Sequence, residues 1–239
     1  MLTKNKIKFI RSLASKKERY SQRLFIIEGE KLIGEALKSG IVIEEIIGLE
    51  DFKSNYNSDL FSMASKKEME RISLMKKAPG ILALAKFMDW GELKLDRGKF
   101  IALDRINDPG NLGTIIRIAD WFGIDGIICS NESVDVYNEK VVQSSMGSIV
   151  RIPLYYEDLS AILKKCSLPK LAAAMEGDDF ASFSFPASGI LLMGSESHGI
   201  SEELLPLIDH QITINRIGSA ESLNVGVAAG ILCQAFTKE

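Results

Sequence analysis

From Phe100 onward, short runs of uninterrupted apolar residues alternate with stretches of helical character, and this alternation restricts the fold more than any other feature of the chain. Phe100-Ile101-Ala102-Leu103, Gly126-Ile127-Ile128-Cys129, residues 149–156, residues 171–175, Ile190-Leu191-Leu192-Met193 and residues 211–214 read as strands. Residues 112–122, 139–146, 159–166, 202–208 and 222–236 read as helices. A strand that is apolar at every position has both faces covered, the condition of a parallel strand between two layers of helices. The expected architecture is α/β with a mostly parallel sheet. Ligands of such sheets bind outside the carboxyl ends of the strands, so the residues that follow each apolar run carry the functional information.

The first part of the chain has a different texture. Ile7, Ile10 and Leu13 recur at helical spacing among Lys6, Lys8, Arg11 and Lys16 and define an amphipathic basic helix. Phe25-Ile26-Ile27 is a short strand, broken at Gly29 before a helix over residues 31–37. Residues 41–49 and 81–87 are further strands, and Ser65-Lys66-Lys67-Glu68 has capping-box spacing ahead of a helix carrying Met69 and Ile72. The polar, turn-forming stretch from Asp89 to Lys99 separates the two parts, giving a small α/β domain over residues 1–97 and a larger one over residues 98–239.

Charge is unevenly distributed. Residues 1–23 hold Lys4, Lys6, Lys8, Arg11, Lys16, Lys17, Arg19 and Arg23 against Glu18 alone, +7, which leaves −10 for the rest of a chain whose net charge is −3. A basic arm on an acidic body points to a polyanionic partner. The balance excludes a uniformly basic coat protein and a disordered acidic tail. Cys129, Cys166 and Cys233 lie far apart and share no metal-binding spacing with His198 or His210, so they read as thiols of a reducing cytoplasm, with no metal centre. No apolar run reaches the roughly 18 residues of a membrane span, and cations interrupt every apolar stretch near the N-terminus, so neither a span nor a signal peptide is expected.

Three loops stand out. Phe100–Leu103 is followed by Asp104-Arg105-Ile106-Asn107-Asp108-Pro109-Gly110-Asn111-Leu112-Gly113, with Arg117 further on. Pro109-Gly110 bends the chain and Asn111 is placed to cap the next helix. A plain turn with a capping Asn and a surface Arg accounts for that loop alone. Ile190–Met193 is followed by Gly194-Ser195-Glu196-Ser197-His198-Gly199, which misses the spacing of a nucleophile elbow, a dinucleotide fingerprint and a Walker loop, yet holds a carboxylate between glycines at a strand end. After Ile214 come Asn215-Arg216-Ile217-Gly218-Ser219-Ala220-Glu221-Ser222-Leu223-Asn224, with Ser222 and Asn224 where the last helix should begin. A capping role for Ser222 is the simple alternative.

Together, Asn111-x-Gly113-x-x-x-Arg117, Gly194-x-Glu196-x-x-Gly199 and Ser222-Leu223-Asn224-Val225, in this order and with Ser145-Met146-Gly147-Ser148 between them, resemble the three motifs of the SpoU (TrmH-like) RNA ribose 2'-O-methyltransferases of the SPOUT class. The likeness runs over most of residues 100–239. Phe25-Ile26-Ile27-Glu28-Gly29 and residues 76–83 resemble, less sharply, the ribosomal-protein-L30e-like RNA substrate-binding domain that precedes such enzymes. The resemblance implies a deep trefoil knot, S-adenosylmethionine as methyl donor, and a homodimer whose active site draws on both chains. It also implies a structured RNA substrate, 23S ribosomal RNA before transfer RNA. Carried over residue by residue, it assigns Asn111, Arg117, Glu196, Ser222 and Asn224 to catalysis and substrate positioning, and Gly194, Ile214, Gly218 and Leu223 to the donor site. Asn215-Arg216 departs from the Pro-Met that the family usually carries and implies a differently shaped adenosine pocket. RNA affinity is expected from the cations of residues 4–23 and from Lys66, Lys67, Lys76 and Lys77. A non-catalytic RNA-binding or ribosome-assembly protein, and a serine hydrolase using Ser195 or Ser197 with His198, are the rival readings.

Overall fold

A computed structural model describes residues 1–195 and 198–238. The chain packs into two compact units, Met1–Asp89 together with Tyr137–Val150, and Trp90–Val136 together with the chain from Arg151 onward.

The first unit is built on a four-stranded sheet in the order β1(Leu24–Glu28), β4(Ile81–Lys86), β2(Ile43–Gly48), β3(Phe61–Met63), in which β1 and β2 flank β4 antiparallel and β3 runs parallel to β2. Alternate residues of β1 divide between two layers. Leu24 and Ile26 join Ile7, Ile10 and Leu13 of the α1(Lys4–Ser12) region and Met69 and Ile72 of α4(Lys66–Ile72) in one core. Phe25 faces the other way, its ring 4.7 Å from Tyr137. The capping box is formed: Ser65 Oγ accepts from the Glu68 amide and the Glu68 carboxylate from the Ser65 amide. Glu28 is buried, and burial pushes its carboxyl above the usual range despite hydrogen bonds from Ser73 Oγ at 2.5 Å and Leu74 N at 2.7 Å. Those bonds tie the segment leading to Lys76 and Lys77 onto the sheet.

The second unit carries a six-stranded parallel sheet ordered β10(His210–Thr213), β8(Lys170–Asp179), β9(Gly189–Gly194), β5(Lys99–Asp104), β6(Gly126–Ser130), β7(Leu154–Glu157). The chain runs outward from β5 through β6 to β7, returns to β8, and then inserts β9 between β8 and β5. Register pairs Leu103 with Met193 and Asp104 with Gly194, so the carboxyl ends of β5 and β9 sit side by side where the strand order reverses. That is the position at which a crevice opens in a parallel sheet. Helix α5(Pro109–Trp121) follows β5, and the final helix α8(Val225–Thr237) packs against it. An added Cβ on Gly226 would lie 3.1 Å from Thr114 Cγ2, so glycine permits this approach.

The first unit ends at Asp89, and residues 90–97 pack with the second, Leu93 and Leu95 against its core. Residues 137–150, read as part of the second domain, pack with the first: Tyr137 stacks on Phe87 at 3.8 Å, and Gln143 Nε2 in α6(Glu139–Ser144) donates to the Glu28 carbonyl at 3.0 Å. The helix expected over 202–208 is only a 3-10 turn, Leu205–Leu207, since Pro206 has no amide to bond the Glu202 carbonyl. Residues 149–156 form a strand only from Leu154, after Pro153.

Candidate functional site

Asp108, and not Asn111, caps α5. Its carboxylate accepts from the Asn111 amide at 2.8 Å, and Pro109 occupies the first turn, where no intrahelical amide is needed. The Asn111 side chain therefore has no capping duty, and its Oδ1 accepts from Asn224 Nδ2 at 2.9 Å. Asn224 in turn caps α8, its Oδ1 accepting from the amides of Gly226 and Val227 at 3.0 and 3.3 Å. Ser222, offered by the sequence as a cap, lies two residues too early. The starts of the two helices are thus joined through two asparagines separated by more than a hundred residues in sequence.

The loop after β9 folds back on itself. The Gly199 amide donates to the Ser195 carbonyl at 2.8 Å, and the loop's far end is pinned when Ser201 donates from N and Oγ to Asp104 Oδ2 at 2.7 and 2.5 Å. A Cβ built on Gly194 would lie 2.1 Å from the Gly199 carbonyl carbon and 2.4 Å from the Ile200 nitrogen, so only glycine fits there. Glu196, expected in the catalytic set, lies outside the described residues. Ser195 Oγ accepts from the backbone amide of His198 at 3.3 Å, a turn geometry and not a nucleophile paired with an imidazole.

Between this loop, the sheet and the start of α8 lies a cavity of about 800 Å³. Gly194, Ile214, Gly218, Ser222 and Leu223 all line it, with Met193, Ile200, Ala228 and Leu232 supplying apolar wall. Asn215 and Arg216, the departure from the family pattern, line it too, and Arg216 Nη1 closes the third loop by donating to the Ala220 carbonyl at 3.2 Å. Apolar walls with exposed backbone amides and carbonyls suit a ligand with a flat apolar ring and several polar groups, and the volume is within the usual range for such sites. Arg117 is placed elsewhere. Six residues beyond Asn111 it has turned about 240° around α5, so it is exposed, lines neither this cavity nor the smaller one beside it, and makes no hydrogen bond or ion pair among the described residues.

Asp104, Asp108 and Ser201 shape the site through hydrogen bonds that the sequence barely signals. Asp104 shows only as an acid at the end of a buried strand and Asp108 as an acid immediately before Pro. No cysteine lines either cavity, and burial pushes the Cys129 and Cys233 thiols up to about 12. Among the described residues no group of three or more His, Cys, Asp or Glu is placed to hold a metal ion.

Asn224→Ala removes a cap and the partner of Asn111 together. The expected result is a loss of about 1 kcal/mol of stability, read by thermal or denaturant unfolding, with a larger relative loss of activity because Asn111 is no longer held.

The model of the SpoU rRNA Methylase family matches residues 98–234, and that of the MRM3-like substrate binding domain matches residues 4–83. The 23S rRNA (guanosine(2553)-2'-O)-methyltransferase RlmP of Bacillus subtilis (strain 168) is 32% identical over 236 residues, 95% of this chain and 94% of that protein. A solved structure from Porphyromonas gingivalis, assigned to the TrmH family, superposes with a TM-score of 0.90 at 33% identity over 99% of this chain and 98% of its own. An AdoMet-bound rRNA methyltransferase from Sinorhizobium meliloti superposes with a TM-score of 0.87 at 29% identity, over 99% and 95%.

Proposed function

Because the chain belongs to the SpoU rRNA methylase family, we propose that it transfers a methyl group from S-adenosylmethionine to a ribose 2'-hydroxyl of 23S ribosomal RNA in the cytoplasm. The observation that carries this reading is the cavity at the carboxyl ends of the sheet. The four residues assigned to the donor site line it together with Ser222, and the linked Asn111 and Asn224 stand where α5 and α8 begin.

S-adenosylmethionine supplies a methyl group on a sulfonium sulfur, already a strong electrophile. The protein's task is therefore to align the acceptor oxygen and to ease loss of its proton. Ile214 and Leu223 provide apolar surface for the donor's ring, and the backbone around Gly194 and Gly218 provides polar contacts. Asn111, held by Asn224, orients the ribose. A guanidinium does not serve as a general base in proteins, so Arg117 is not the group that takes the proton. Its role is to clamp a phosphate and stabilise the oxyanion that forms, the proton leaving to phosphate or water.

An exposed Arg117 is compatible with this chemistry if the protein works as a homodimer in which each chain offers Arg117 to the other's site. Exposed apolar side chains on α5 and ahead of and within α8 support that arrangement: Trp121 is 83% exposed, Val227 53% and Leu223 46%, a combination that invites a partner surface. The same reading places a trefoil knot in the segment from β9 to α8.

The basic arm contributes RNA affinity, but not with all its cations. Arg19 is buried and donates to the Leu13 and Ala14 carbonyls at 2.9 and 2.7 Å, and Lys6 is paired with Glu45. Lys4, Lys8, Lys16, Lys17, Lys66, Lys67, Lys76 and Lys77 are exposed. Deleting the arm would strip Ile7, Ile10 and Leu13 from the core, so charge removal is the cleaner test. Lys4, Lys8, Lys16 and Lys17 changed together to Gln should weaken rRNA binding and flatten its salt dependence by roughly 0.7 to 0.9 in log–log slope for each phosphate no longer neutralised, with S-adenosylmethionine affinity unchanged. Mapping 2'-O-methylation across 23S rRNA from cells with and without this protein tests the reading as a whole: one ribose methyl should disappear.

A further inference from the structure

A second cavity, of about 140 Å³, adjoins the large one, and the two share Ser195 and Val225 as walls. Its remaining walls are Arg105, Ile106, Asn107, Asp108 and Asn111. Arg105 has a φ of 54°, left-handed backbone that a non-glycine residue keeps only when its surroundings hold it there. The hold is visible. Ser130 Oγ accepts from the Arg105 amide at 3.0 Å, Ser133 Oγ accepts from the Ile106 amide at 3.2 Å, and the Val134 amide donates to the Ile106 carbonyl at 2.8 Å. Both serines are buried. A strained turn kept in place by a buried network, at the point where the strand order reverses, aims its side chain.

What it aims is a cation with unused donors. Arg105 Nε is buried without a hydrogen bond, 3.3 Å from Asp104 Oδ1, while Asp104 Oδ2 is taken up by Ser201. Among the described residues the guanidinium makes no hydrogen bond, and the side chain is 35% exposed at the cavity wall. One edge is thus fixed by an ion pair and the other is offered outward as a planar fork, which matches a phosphate's oxygens. The cavity is smaller than the roughly 300 Å³ at which whole-ligand sites begin, so it suits part of a nucleotide.

Resting on the reading of the protein as an RNA ribose methyltransferase, we infer that this cavity receives the ribose of the target nucleotide and that Arg105 grips the adjoining backbone phosphate. The 2'-oxygen then faces the donor cavity across Ser195 and Val225, beside Asn111. A nucleotide within a chain has a phosphate on each side, so Arg105 and Arg117 have separate partners.

The backbone strain provides a test that separates binding from folding. Asn tolerates left-handed φ and carries no charge, and Gly relieves the strain altogether. Arg105→Asn should raise the KM for a 23S rRNA fragment about tenfold or more with a smaller change in kcat, and weaken binding of the fragment in parallel, with S-adenosylmethionine affinity unchanged. Arg105→Gly should show the same RNA defect while unfolding at the wild-type temperature or above, and Arg105→Lys, which keeps charge but loses the fork, should fall between. An RNA KM and Kd within about twofold of wild type in Arg105→Asn, or a donor-affinity loss equal to the RNA loss, overturns the assignment. A wild-type protein that binds the fragment but methylates nothing overturns the functional reading instead, and the change in RNA Kd still decides Arg105's role.

Discussion

Gly194→Ala is expected to weaken S-adenosylmethionine binding severely while the N-terminal unit stays folded. The added methyl would sit 2.1 to 2.4 Å from backbone atoms of Gly199 and Ile200, and backbone, unlike a flexible side chain, cannot rotate out of the way. The loop that walls the large cavity must move, at a cost of about 3 kcal/mol, the upper end for overpacking, or more. Because the loop is tied to Asp104 through Ser201, displacement at Gly199 is transmitted to the end of β5. Donor affinity, measured by calorimetric titration, should fall by roughly a hundredfold or beyond, with a lowered unfolding temperature for the second unit. A variant that binds S-adenosylmethionine like wild type would mean that the cavity beneath this loop is not the donor site.

Arg117→Ala should leave donor binding intact and reduce kcat by roughly a hundred- to a thousandfold, the scale seen when one donor to a developing oxyanion is removed. Arg117→Lys should recover only part of this loss, because a point charge does not reproduce a bidentate fork. The exposed position of Arg117 adds a second, sharper expectation. Mixing inactive Arg117→Ala and Asn111→Ala proteins, with exchange of subunits, should restore activity to about a quarter of wild type, since half the dimers would be mixed and each would hold one intact site. No recovery, with subunit exchange shown independently, would place Arg117 and Asn111 in the same chain's site.

What could be read from the residues depended on whether the determinant was local. The capping box at Ser65 and Glu68, the core stripe of Ile7, Ile10 and Leu13 and the fully apolar strands from Phe100 to Met193 are written in spacings of a few residues, and the structure places them accordingly. The packing of residues 137–150 with the N-terminal unit is set by the Tyr137 ring meeting Phe25 and Phe87, contacts made over fifty residues or more that no short window contains. Asn111 was legible as a polar residue at a helix start, but its role was inverted. Asp108 has the carboxylate three residues ahead of the relevant amide, and that leaves the Asn111 side chain to Asn224. The resemblance of their loops assigns Gly194, Ile214, Gly218 and Leu223 to a donor site, and the cavity that these residues line appears only when β9, β10 and α8 are assembled. Left-handed backbone at Arg105 had no sequence signal, because Arg carries no preference for it and the serines that enforce it lie 25 or more residues away.

The central claim is the reaction itself, and it is tested most directly by incubating the protein with S-adenosylmethionine labelled in the methyl group and unmodified 23S rRNA, then digesting the RNA to nucleosides. The expected result is label in a single 2'-O-methylated nucleoside, lost with Arg117→Ala. Label confined to a base, or none in RNA from a preparation shown to bind the donor, would contradict it.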